Sequence, residues 1–293
     1  MKTKLSIIIV SYNTSGLLKQ CLSAVLASSG LKPKELEIIV VDNGSNDGSQ
    51  EVVNKFRIQN SELRIELIEN KENLGFAVGN NIGINNSDGK FLLLLNSDTL
   101  IETDTLITIL KAMENDSSIG AATCLLQTTD GKIDPASHRG FPTLWNAGSY
   151  FLGFEKLFPA SRIFGGYHQG WKNFKVPHEV DCISGAFFMV SREVIDRVGL
   201  LDERFFMYGE DIDWCFRIKQ AGFKILFHPG VKTLHLKKQS GRDSRTDQTA
   251  KKNARRKFVE TMAQFYSKHY LSKYPDLVSK IVLGLLWLIK IFI

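Results

Sequence analysis

The sequence predicts an α/β fold in which helices flank a mostly parallel sheet, followed by a helical, partly apolar C-terminal tail. Short runs rich in Ile, Val and Leu are typical of strands that are buried on both faces. Segments with apolar residues at helical spacing lie between these runs, and this alternation favours parallel strands joined by right-handed crossovers. The tail is predicted from an uncharged apolar run at residues 281–289.

The predicted strands and helices alternate along most of the chain. Strands are predicted at residues 5–10, 36–41, 65–68, 91–95, 183–190 and 224–228. Helices are predicted at residues 17–28, 50–60, 75–86, 99–113, 192–198 and 210–221. The segment 128–181 is rich in glycine, proline and aromatic residues and is predicted to be largely irregular, and such long segments inside a compact domain are usually functional.

Composition and charge indicate an ordinary globular protein with a basic C-terminal part. The chain has 293 residues, of which 43% are hydrophobic and 23% charged, and a formal net charge of +6. Basic residues are concentrated in the last fifth, beside the apolar tail, which suits an anionic membrane surface at least as well as nucleic acid. A helix of about 17 residues spans roughly 25 Å, less than the ~30 Å hydrocarbon core. We therefore favour an in-plane or re-entrant helix, with docking on protein as the alternative.

Two features bear on cellular location. The cysteines are far apart, form no C-x-x-C pair and are predicted to be buried, unreactive thiols in a reducing compartment: Cys21, Cys124, Cys182 and Cys215. The apolar run at residues 5–10 is too short for the hydrophobic region of a signal peptide, so we expect a first strand and no export.

Acidic residues follow two of the predicted strands. Asp98 comes directly after residues 91–95, within Asn96-Ser97-Asp98, and could hold Mg²⁺ or Mn²⁺ or could cap the next helix. Asp42 follows residues 36–41 and opens a loop of turn-forming residues; it could be a plain turn residue or could bind a nucleotide base or ribose. Because ligands bind beyond the carboxyl ends of strands in such sheets, we expect Asp42 and Asp98 to share one site.

A third acidic cluster opens the helix predicted at residues 210–221. Glu210, Asp211 and Asp213 could complement the helix dipole, or one of them could remove a proton from a hydroxyl group as a general base. His235 follows the last predicted strand and is structural or a ligand of a metal–diphosphate unit, with Lys237, Lys238, Gln239 and Ser240 after it. The P-loop, dinucleotide-binding, zinc-protease and nucleophile-elbow motifs are absent, which disfavours those enzyme classes.

Taken in order, several motifs resemble the family 2 glycosyltransferases with the GT-A fold. The resemblance covers roughly residues 4–240. Its motifs are Ser-Ile-Ile-Ile-Val-Ser-Tyr-Asn at 6–13, Val-Asp-Asn-Gly-Ser-Asn-Asp-Gly-Ser at 41–49, Asn-Leu-Gly-Phe-Ala-Val-Gly-Asn-Asn at 73–81, Leu-Asn-Ser-Asp at 95–98, Ser-Gly-Ala at 184–186, Phe-Phe-Met-Tyr-Gly-Glu-Asp-Ile-Asp at 205–213 and His235. Within the family the chain most resembles the rhamnosyltransferase-like branch, through Asn-Leu-Gly-Phe-Ala at 73–77, Arg-Gly-Phe-Pro at 139–142 and Gly-Glu-Asp-Ile-Asp at 209–213.

The resemblance implies a role for each matching residue. Asp211 is expected to be the catalytic base, and Asp98 and His235 the metal ligands, for Mg²⁺ or Mn²⁺. The nucleotide sugar is expected to contact Ser11, Asn13, Asp42, Asn73, Gly75, Asn80, Asn96, Ser97 and Glu210. The chain departs from the family's D-x-D pattern because Asn96 replaces the first acid, and the glycines often found after His235 are missing.

The resemblance also implies an activity, partners and a location. We expect inverting transfer of a sugar, with rhamnose as the first choice, from a dTDP- or UDP-sugar to a glycan or lipid-linked acceptor in cell-surface polysaccharide synthesis. Aromatic residues between 141 and 174 are expected to shape the acceptor site. The expected location is cytoplasmic, peripheral on the inner face of the cell membrane, without nucleic acid as a partner.

The same resemblance suggests a division of the chain. Residues 1–245 would form the GT-A domain, with a donor half to about 127 and an acceptor half to about 245, and residues 246–293 a membrane-associating segment. Three alternatives stay open: a sugar nucleotidyltransferase, a non-enzymatic nucleic-acid-binding protein that uses the basic tail, and a catalytically silent scaffold.

Overall fold

A computed structural model describes residues 3–236 and 248–292 of the chain. These residues form nine strands: β1 Leu5–Ser11, β2 Leu36–Asp42, β3 Arg64–Glu69, β4 Phe91–Leu95, β5 Thr99–Ile101, β6 Ile119–Thr128, β7 His178–Val180, β8 Phe187–Ser191 and β9 Lys224–His235. They also form ten α-helices: α1 Ser15–Leu26, α2 Ser49–Gln59, α3 Phe76–Asn85, α4 Thr105–Asn115, α5 Leu144–Phe151, α6 Phe154–Leu157, α7 Arg192–Val198, α8 Glu210–Gln220, α9 Gln248–His269 and α10 Asp276–Phe292.

The strands form one sheet in the order β3-β2-β1-β4-β8-β6-β9-β5, with β7 also paired to β9. The first four strands are parallel. β8 pairs antiparallel with β4 and β6, while β6 and β9 are parallel. The predicted α/β class with a mostly parallel sheet flanked by helices is therefore confirmed.

Alternate residues of the central strands supply two apolar cores, one on each face of the sheet. Ile7 and Ile9 of β1 pack with α1 and α4 on one face, whereas Ile8 packs with α3, α8 and α9 on the other. β1, β2 and β4 are buried along almost their whole length. This burial on both faces explains why these strands are continuous apolar runs in the sequence.

Three predicted element boundaries are wrong. The helix predicted at residues 99–113 begins only at Thr105, because residues 99–101 form β5 and pair antiparallel with the end of β9. The strand predicted at 183–190 begins at Phe187, and the strand predicted at 224–228 continues to His235. In each case the extent of the strand is set by a partner strand that is remote in sequence, which local patterns do not reveal.

The two C-terminal helices pack antiparallel against each other. Tyr266 of α9 and Ser279 of α10 bring their hydroxyl oxygens to 3.1 Å, and Lys290 pairs with Glu260 at 2.8 Å. The inner side of α9, including Phe265, is part of the second apolar core. Among the helices of residues 3–236 and 248–292, none combines the length and hydrophobicity that crossing a membrane requires. The predicted helical, apolar tail is confirmed.

Candidate active site

Asp42 ends β2 beside Ser11, its register partner at the end of β1. Both side chains are buried. Asp42 Oδ2 accepts hydrogen bonds from the Ser45 amide and the Gln50 side chain, both at 2.9 Å. The other oxygen, Oδ1, is buried and has no hydrogen-bond partner within the described part of the chain. Since leaving a buried carboxylate oxygen without a donor is costly, this atom is suited to a donor group on a ligand.

Asn13 cross-links the loops that follow β1 and β2. Its backbone is in the left-handed region, with φ 53°, which asparagine tolerates better than most residues. Asn13 Oδ1 accepts a hydrogen bond from the backbone N–H of Asn46 at 3.0 Å, and the backbone N–H of Asn13 donates to the Ser45 hydroxyl at 2.9 Å. Asn13 is exposed, so it lies at the rim of the site rather than inside it.

Asn73 and Gly75 form the loop that leads into α3. Asn73 Oδ1 accepts hydrogen bonds from the Gly75 amide at 3.0 Å and from the Asn43 side chain at 3.4 Å. Gly75 has φ 88°, and a Cβ atom there would lie 2.6 Å from the Phe206 carbonyl oxygen. Only glycine therefore allows this loop to approach residues 205–209, which lead into α8.

Asn80 lies inside α3, unlike the other predicted donor-site residues. It is 1% exposed, and its side-chain amide donates to the Phe76 carbonyl one turn earlier at 2.9 Å. The next residue, Asn81, fastens α3 to a remote segment, because its side chain both donates to and accepts from the Leu201 backbone. Asn81 was not predicted as a site residue, because its partner Leu201 is 120 positions away in the sequence.

A row of hydroxyl groups joins the ends of β1 and β4. The Ser97 hydroxyl lies 3.0 Å from the Thr14 hydroxyl, which lies 2.9 Å from the Ser11 hydroxyl. The Asn96 amide donates to the Ala186 carbonyl at 3.1 Å and so fixes the start of this segment. Ser97 directly precedes Asp98, so the row places Asp98 at the same edge of the sheet as Ser11 and Asp42.

His235 lies between two buried acids, Asp98 and Asp134. Its Nε2 is 3.3 Å from Asp98 Oδ1, and its Nδ1 is 2.8 Å from Asp134 Oδ2. Burial lowers the pKa of His235, but the hydrogen bonds to Asp134 and Asp98 outweigh burial and raise it above its ordinary value. The pairing of β5 with β9 sets Thr99 opposite His235, which explains why Asp98 and His235 meet.

The geometry of Asp98 and His235 fits a shared divalent cation. Two ligand atoms bound at about 2.1 Å and near a right angle lie roughly 3 Å apart, close to the observed separation. Asp134 holds the remote imidazole nitrogen, as carboxylates often do behind a metal-bound histidine. Within residues 3–236 and 248–292, no three His, Cys, Asp or Glu side chains are grouped to hold a metal. A cation here therefore needs further ligands from a diphosphate and water.

Arg139 connects these acids to the first turn of α8. Its Nη2 lies 3.0 Å from Asp211 Oδ2, and its Nε donates to the Ala136 carbonyl at 2.9 Å. The Ala136 amide in turn donates to Asp134 Oδ1 at 3.0 Å. Residues 134–139 therefore bridge the acid at 98 and the acid at 211. These contacts join Asp98 to Asp211, whereas the contacts of the Asp42 carboxylate are with Ser45 and Gln50; that the acids share one site stays a prediction.

Glu210 and Asp211 have opposite surroundings although they are adjacent. Glu210 is buried, and its Oε2 has no hydrogen-bond partner among the described residues. Burial, and then the neighbouring negative charge of Asp211, raise the pKa of Glu210 to about 8. The Asp211 side chain is 13% exposed and is held by Arg139. Near neutral pH, Glu210 therefore keeps its proton while Asp211 faces a partly open space.

Asp213, the third acid of the cluster, holds α8 to α9. It is fully buried, and its carboxylate lies 2.9 Å from Arg217 Nε, 2.6 Å from Lys268 Nζ and 2.6 Å from His269 Nε2. Burial opposes its ionisation, but the bonds to His269 and Lys268 prevail and lower the pKa of Asp213. Asp213 is therefore a structural ion-pair residue.

Asp134 and Arg139 were not among the predicted site residues, although they contact His235 and Asp211 in the candidate site. Asp134 precedes a proline, a local signal for a helical turn, and it caps the 3₁₀ turn Pro135–Ser137. That signal does not reveal its partner His235, which lies 101 positions later. The residues after His235 that were considered as phosphate ligands, Lys237 to Ser240, lie outside the described residues.

The cysteines offer this site no reactive thiol. All of them are free and buried: Cys21, Cys124, Cys182 and Cys215. Burial raises the pKa of Cys21 and of Cys124 to about 12, so their thiolate forms are suppressed near neutral pH. The predicted buried thiols are confirmed.

Sequence comparison relates the chain to known proteins. The profile of "Glycosyl transferase family 2" matches residues 6–199, more than half of the chain. Rhamnosyltransferase WbbL of Escherichia coli (strain K12) is 25% identical over 233 residues, covering 68% of this chain and 82% of that protein. A poly-beta-1,6-N-acetyl-D-glucosamine synthase of Staphylococcus aureus (strain MSSA476) is 25% identical over 225 residues. That match covers 77% of this chain but 48% of the synthase, so the chain spans about half of this relative's length.

Solved structures share the fold. A mannosyltransferase from Pyrobaculum calidifontis, solved with GDP-Man and Mn²⁺, superimposes with a TM-score of 0.63 at 18% identity, covering 92% of this chain and 64% of that chain. GalNAc-T7, solved with UDP, GalNAc and Mn²⁺, gives a TM-score of 0.62 at 17% identity, covering 95% of this chain and 54% of that chain. At these identities the similarity shows the fold alone.

Proposed function

This chain belongs to the family 2 glycosyltransferases, and on that premise we propose that it transfers a sugar, with inversion, from a nucleoside diphosphate sugar to a hydroxyl group of a glycan. The observation that carries this proposal is the unbroken set of contacts from Asp98 through His235, Asp134 and Arg139 to Asp211. The candidate cation ligands, Asp98 and His235, contact one end of the segment 134–139, and the partly exposed carboxylate of Asp211 contacts the other end.

The donor nucleotide would occupy the edge formed by the ends of β1 and β2. The open Oδ1 of Asp42 would accept the imide N–H of a uracil or thymine base. Ser11, Asn13, Asn73, Gly75, Asn80, Asn96, Ser97 and Glu210 are the further residues assigned to the nucleotide sugar. Of these, Asn80 would act mainly by shaping the wall, because its side-chain amide already donates to the Phe76 carbonyl inside α3.

Asp98 and His235 would hold a divalent cation, Mg²⁺ or Mn²⁺, beside the diphosphate. When bound, such a cation supplies positive charge for the diphosphate leaving group. The chain's own contribution is to orient the two ligands: Asp134 fixes the imidazole of His235, and the hydroxyl row from Ser11 to Ser97 fixes the backbone before Asp98. Mn²⁺ in two glycosyltransferases of the same fold supports a cation of this class.

Asp211 would act as the general base. As the acceptor oxygen forms its bond to the anomeric carbon, Asp211 takes the hydroxyl proton, and the bond between the anomeric carbon and the diphosphate oxygen breaks with its electron pair. Arg139 holds Asp211 through Oδ2 at 3.0 Å, and the Ile212 amide binds Oδ1 at 2.8 Å, so the carboxylate is fixed in one orientation. Aromatic residues between 141 and 174 would help to shape the acceptor site.

We assign the donor sugar and the location by likeness. The rhamnosyltransferase relative favours dTDP-rhamnose over a UDP-sugar, and the polymer-forming relative favours a role in cell-surface polysaccharide synthesis. An acceptor carried on a membrane lipid suits the basic, apolar C-terminal helices. The protein would then work in the cytoplasm, peripheral on the inner face of the membrane.

A panel of dTDP-, UDP- and GDP-sugars, each incubated with Mg²⁺ or Mn²⁺, tests the proposal through slow release of nucleoside diphosphate. We expect release from a dTDP- or UDP-sugar, lost in the Asp211→Asn variant while calorimetry still detects donor binding. Asp98→Ala should instead weaken the metal-dependent part of donor binding by at least about tenfold. Wild-type turnover in Asp211→Asn would remove this residue from the mechanism.

The same panel separates the alternatives. A sugar nucleotidyltransferase would release pyrophosphate from a nucleoside triphosphate and sugar phosphate. A nucleic-acid-binding protein would turn over no donor and would bind DNA or RNA with a steep dependence on salt. A silent scaffold would bind nucleotide without turnover under any condition of the panel.

A further inference from the structure

The side of α10 that faces away from α9 is apolar, whereas the outer side of a helix on a water-exposed surface is usually polar. Leu277, Ile281, Leu285 and Leu288 are 70, 54, 55 and 43% exposed, and their spacing of three or four residues aligns them in one stripe. The opposite side of the helix packs on α9, where Ser279 meets Tyr266. Soluble monomers rarely leave an apolar stripe of this length open to water.

A second exposed apolar surface lies on the short helices α5 and α6 and the turn between them. Leu152 and Leu157 are 73 and 70% exposed, and Trp145 and Phe158 are 57 and 52% exposed. The ring of Phe164 packs against the rings of Trp145 and Phe158, whose centroids lie 6.0 and 5.6 Å from its own. These ring contacts hold the segment that carries the two exposed leucines.

The two apolar surfaces meet at a groove. Its volume is about 360 Å³, and its lining includes Phe151 of α5 together with Leu286 and Ile289 of α10. Phe151 and Ile289 are themselves 58 and 42% exposed, so the apolar surface continues from one element to the other. Tyr208, two residues before Glu210, lines the same groove and places it beside the acid cluster.

Positive charge borders this apolar surface. Arg255 of α9 lines the groove, and Arg256, Lys257 and Lys280 are exposed nearby on α9 and α10. Basic side chains beside exposed Leu, Trp and Phe suit an anionic bilayer, because the apolar side chains can enter the interface while the anionic headgroups attract the basic ones. Each Lys or Arg near the surface contributes about 1 kcal/mol to binding.

We propose that α10 and the α5–α6 segment form one bipartite docking face for an anionic lipid bilayer, with the groove between them. This inference rests on the proposed function, which places the acceptor at a membrane, and it adds the second contact element. Docking through both elements sets α10 in the plane of the bilayer. It also turns the groove beside Tyr208 and the acid cluster toward the lipid surface, where a membrane-borne hydroxyl group would arrive.

Co-sedimentation of the full chain with phosphatidylglycerol–phosphatidylcholine vesicles, and with pure phosphatidylcholine vesicles, tests the docking face. The variants are Leu285→Glu on α10, Leu152→Glu between α5 and α6, and the matched control Ile58→Glu on α2, where the side chain is 78% exposed. We expect tight binding only to the anionic vesicles. Each of the first two variants should weaken binding about tenfold or more, because a charge replaces a leucine that the bilayer would bury, while Ile58→Glu binds as the wild type does.

Three outcomes would overturn the proposal. The wild type could fail to bind anionic vesicles; Leu152→Glu could behave like Ile58→Glu, which would leave α10 as the sole contact; or light scattering could show a dimer that Leu285→Glu dissociates, which would make a second copy the occupant. Equal thermal unfolding midpoints of the variants exclude misfolding. Vesicle binding without donor turnover would refute the proposed function, and turnover without vesicle binding would refute only the docking face.

Discussion

At the scale of single residues, the acids of the candidate site differ by their partners rather than by their chemistry. Asp42 has one satisfied and one open oxygen, Asp134 is fully buried against His235, and Asp213 contacts the basic side chains of Arg217, Lys268 and His269. Among these acids, Asp211 combines partial exposure with a fixed orientation. The environment therefore separates a ligand-binding acid, a supporting acid, a structural acid and a candidate base.

Replacing Asp42 by asparagine tests its open oxygen. In Asp42→Asn the amide oxygen can still accept from Ser45 and Gln50, but an NH₂ group takes the place of Oδ1 and changes an acceptor into a donor. We expect calorimetry to show affinity for UDP or dTDP reduced about 10- to 100-fold, with unchanged unfolding. Asp116→Asn, an exposed aspartate, is the control, and equal affinity in both variants would exclude a contact at Asp42.

Glu210 predicts a dependence of stability on pH. Its pKa is about 8 in the folded protein, against an ordinary value of 4.5 for a glutamate side chain. Between these values the folded protein keeps a proton that the unfolded chain has lost, so the free energy of unfolding falls as pH rises through this window. Glu210→Gln removes this titration, so its stability relative to the wild type should be greater at pH 8 than at pH 5, by on the order of 3 kcal/mol.

Urea unfolding of both proteins across this pH range measures the effect. Glu193→Gln is the control, because the Glu193 side chain is 60% exposed and pairs with Arg197 on the surface. A constant difference between Glu210→Gln and the wild type at all pH values would show that Glu210 ionises in the folded protein as it does in the unfolded chain.

At the scale of elements, residues 205–209 lie between the start of α3 and α9 and contact both. The Phe206 carbonyl accepts from the Phe76 amide at 2.9 Å, and Lys257 of α9 lies 4.5 Å from the centre of the Phe206 ring. Gly209 has φ 85°, and a Cβ atom there would lie 2.1 Å from Thr261 Cγ2 of α9. The acid cluster is therefore positioned by a helix that the family profile does not reach.

Gly209→Ala tests this close approach. Gly153→Ala is a matched control, because Gly153 has φ 81° and a Cβ atom there would have no atom within 4 Å. Both variants should lose about 1 kcal/mol from the left-handed backbone, and Gly209→Ala about 1–3 kcal/mol more from crowding. Adding Thr261→Ser to Gly209→Ala removes the obstructing methyl group and should recover most of the extra loss; no recovery in urea unfolding would contradict the packing argument.

At the scale of the whole molecule, α9 and α10 differ in their relation to the core. Phe265 of α9 and Tyr270, which follows it, belong to the second apolar core and contact Phe216 of α8, whereas α10 packs against α9 through Ser279 and Tyr266. The division proposed near residue 245 falls outside the described residues and stays a prediction.

Two truncations test this difference. Ending the chain before residue 276 removes α10 and should leave a folded protein that still binds donor. Ending it before residue 248 also removes α9 and uncovers apolar core, at roughly 1.5–3 kcal/mol for each large side chain. That loss approaches the total stability of a domain. Thermal unfolding should be cooperative only for the chain that ends before residue 276, and only that chain should elute from gel filtration as a compact species. Equal unfolding transitions of the two truncated chains would show that α9 is dispensable for the fold.

The sequence by itself determined the alternation of strands and helices, the parallel centre of the sheet and the position of Asp42 and Asp98 at strand ends. These features follow from local periodicity and from the rule that ligands gather beyond the carboxyl ends of parallel strands. It also indicated the helical tail, because an uncharged apolar run is a local property.

The tertiary structure alone decided which side chains meet. His235 reaches Asp98 because β9 continues from the predicted strand end at residue 228 to His235 and pairs with β5, a segment whose local pattern predicts helix. Asp134 and Arg139 join the site through partners 101 and 72 positions away, and Asp213 is structural because α9 returns to it over 56 positions. Such pairings depend on how remote elements pack, and the patterns of neighbouring residues carry no information about them.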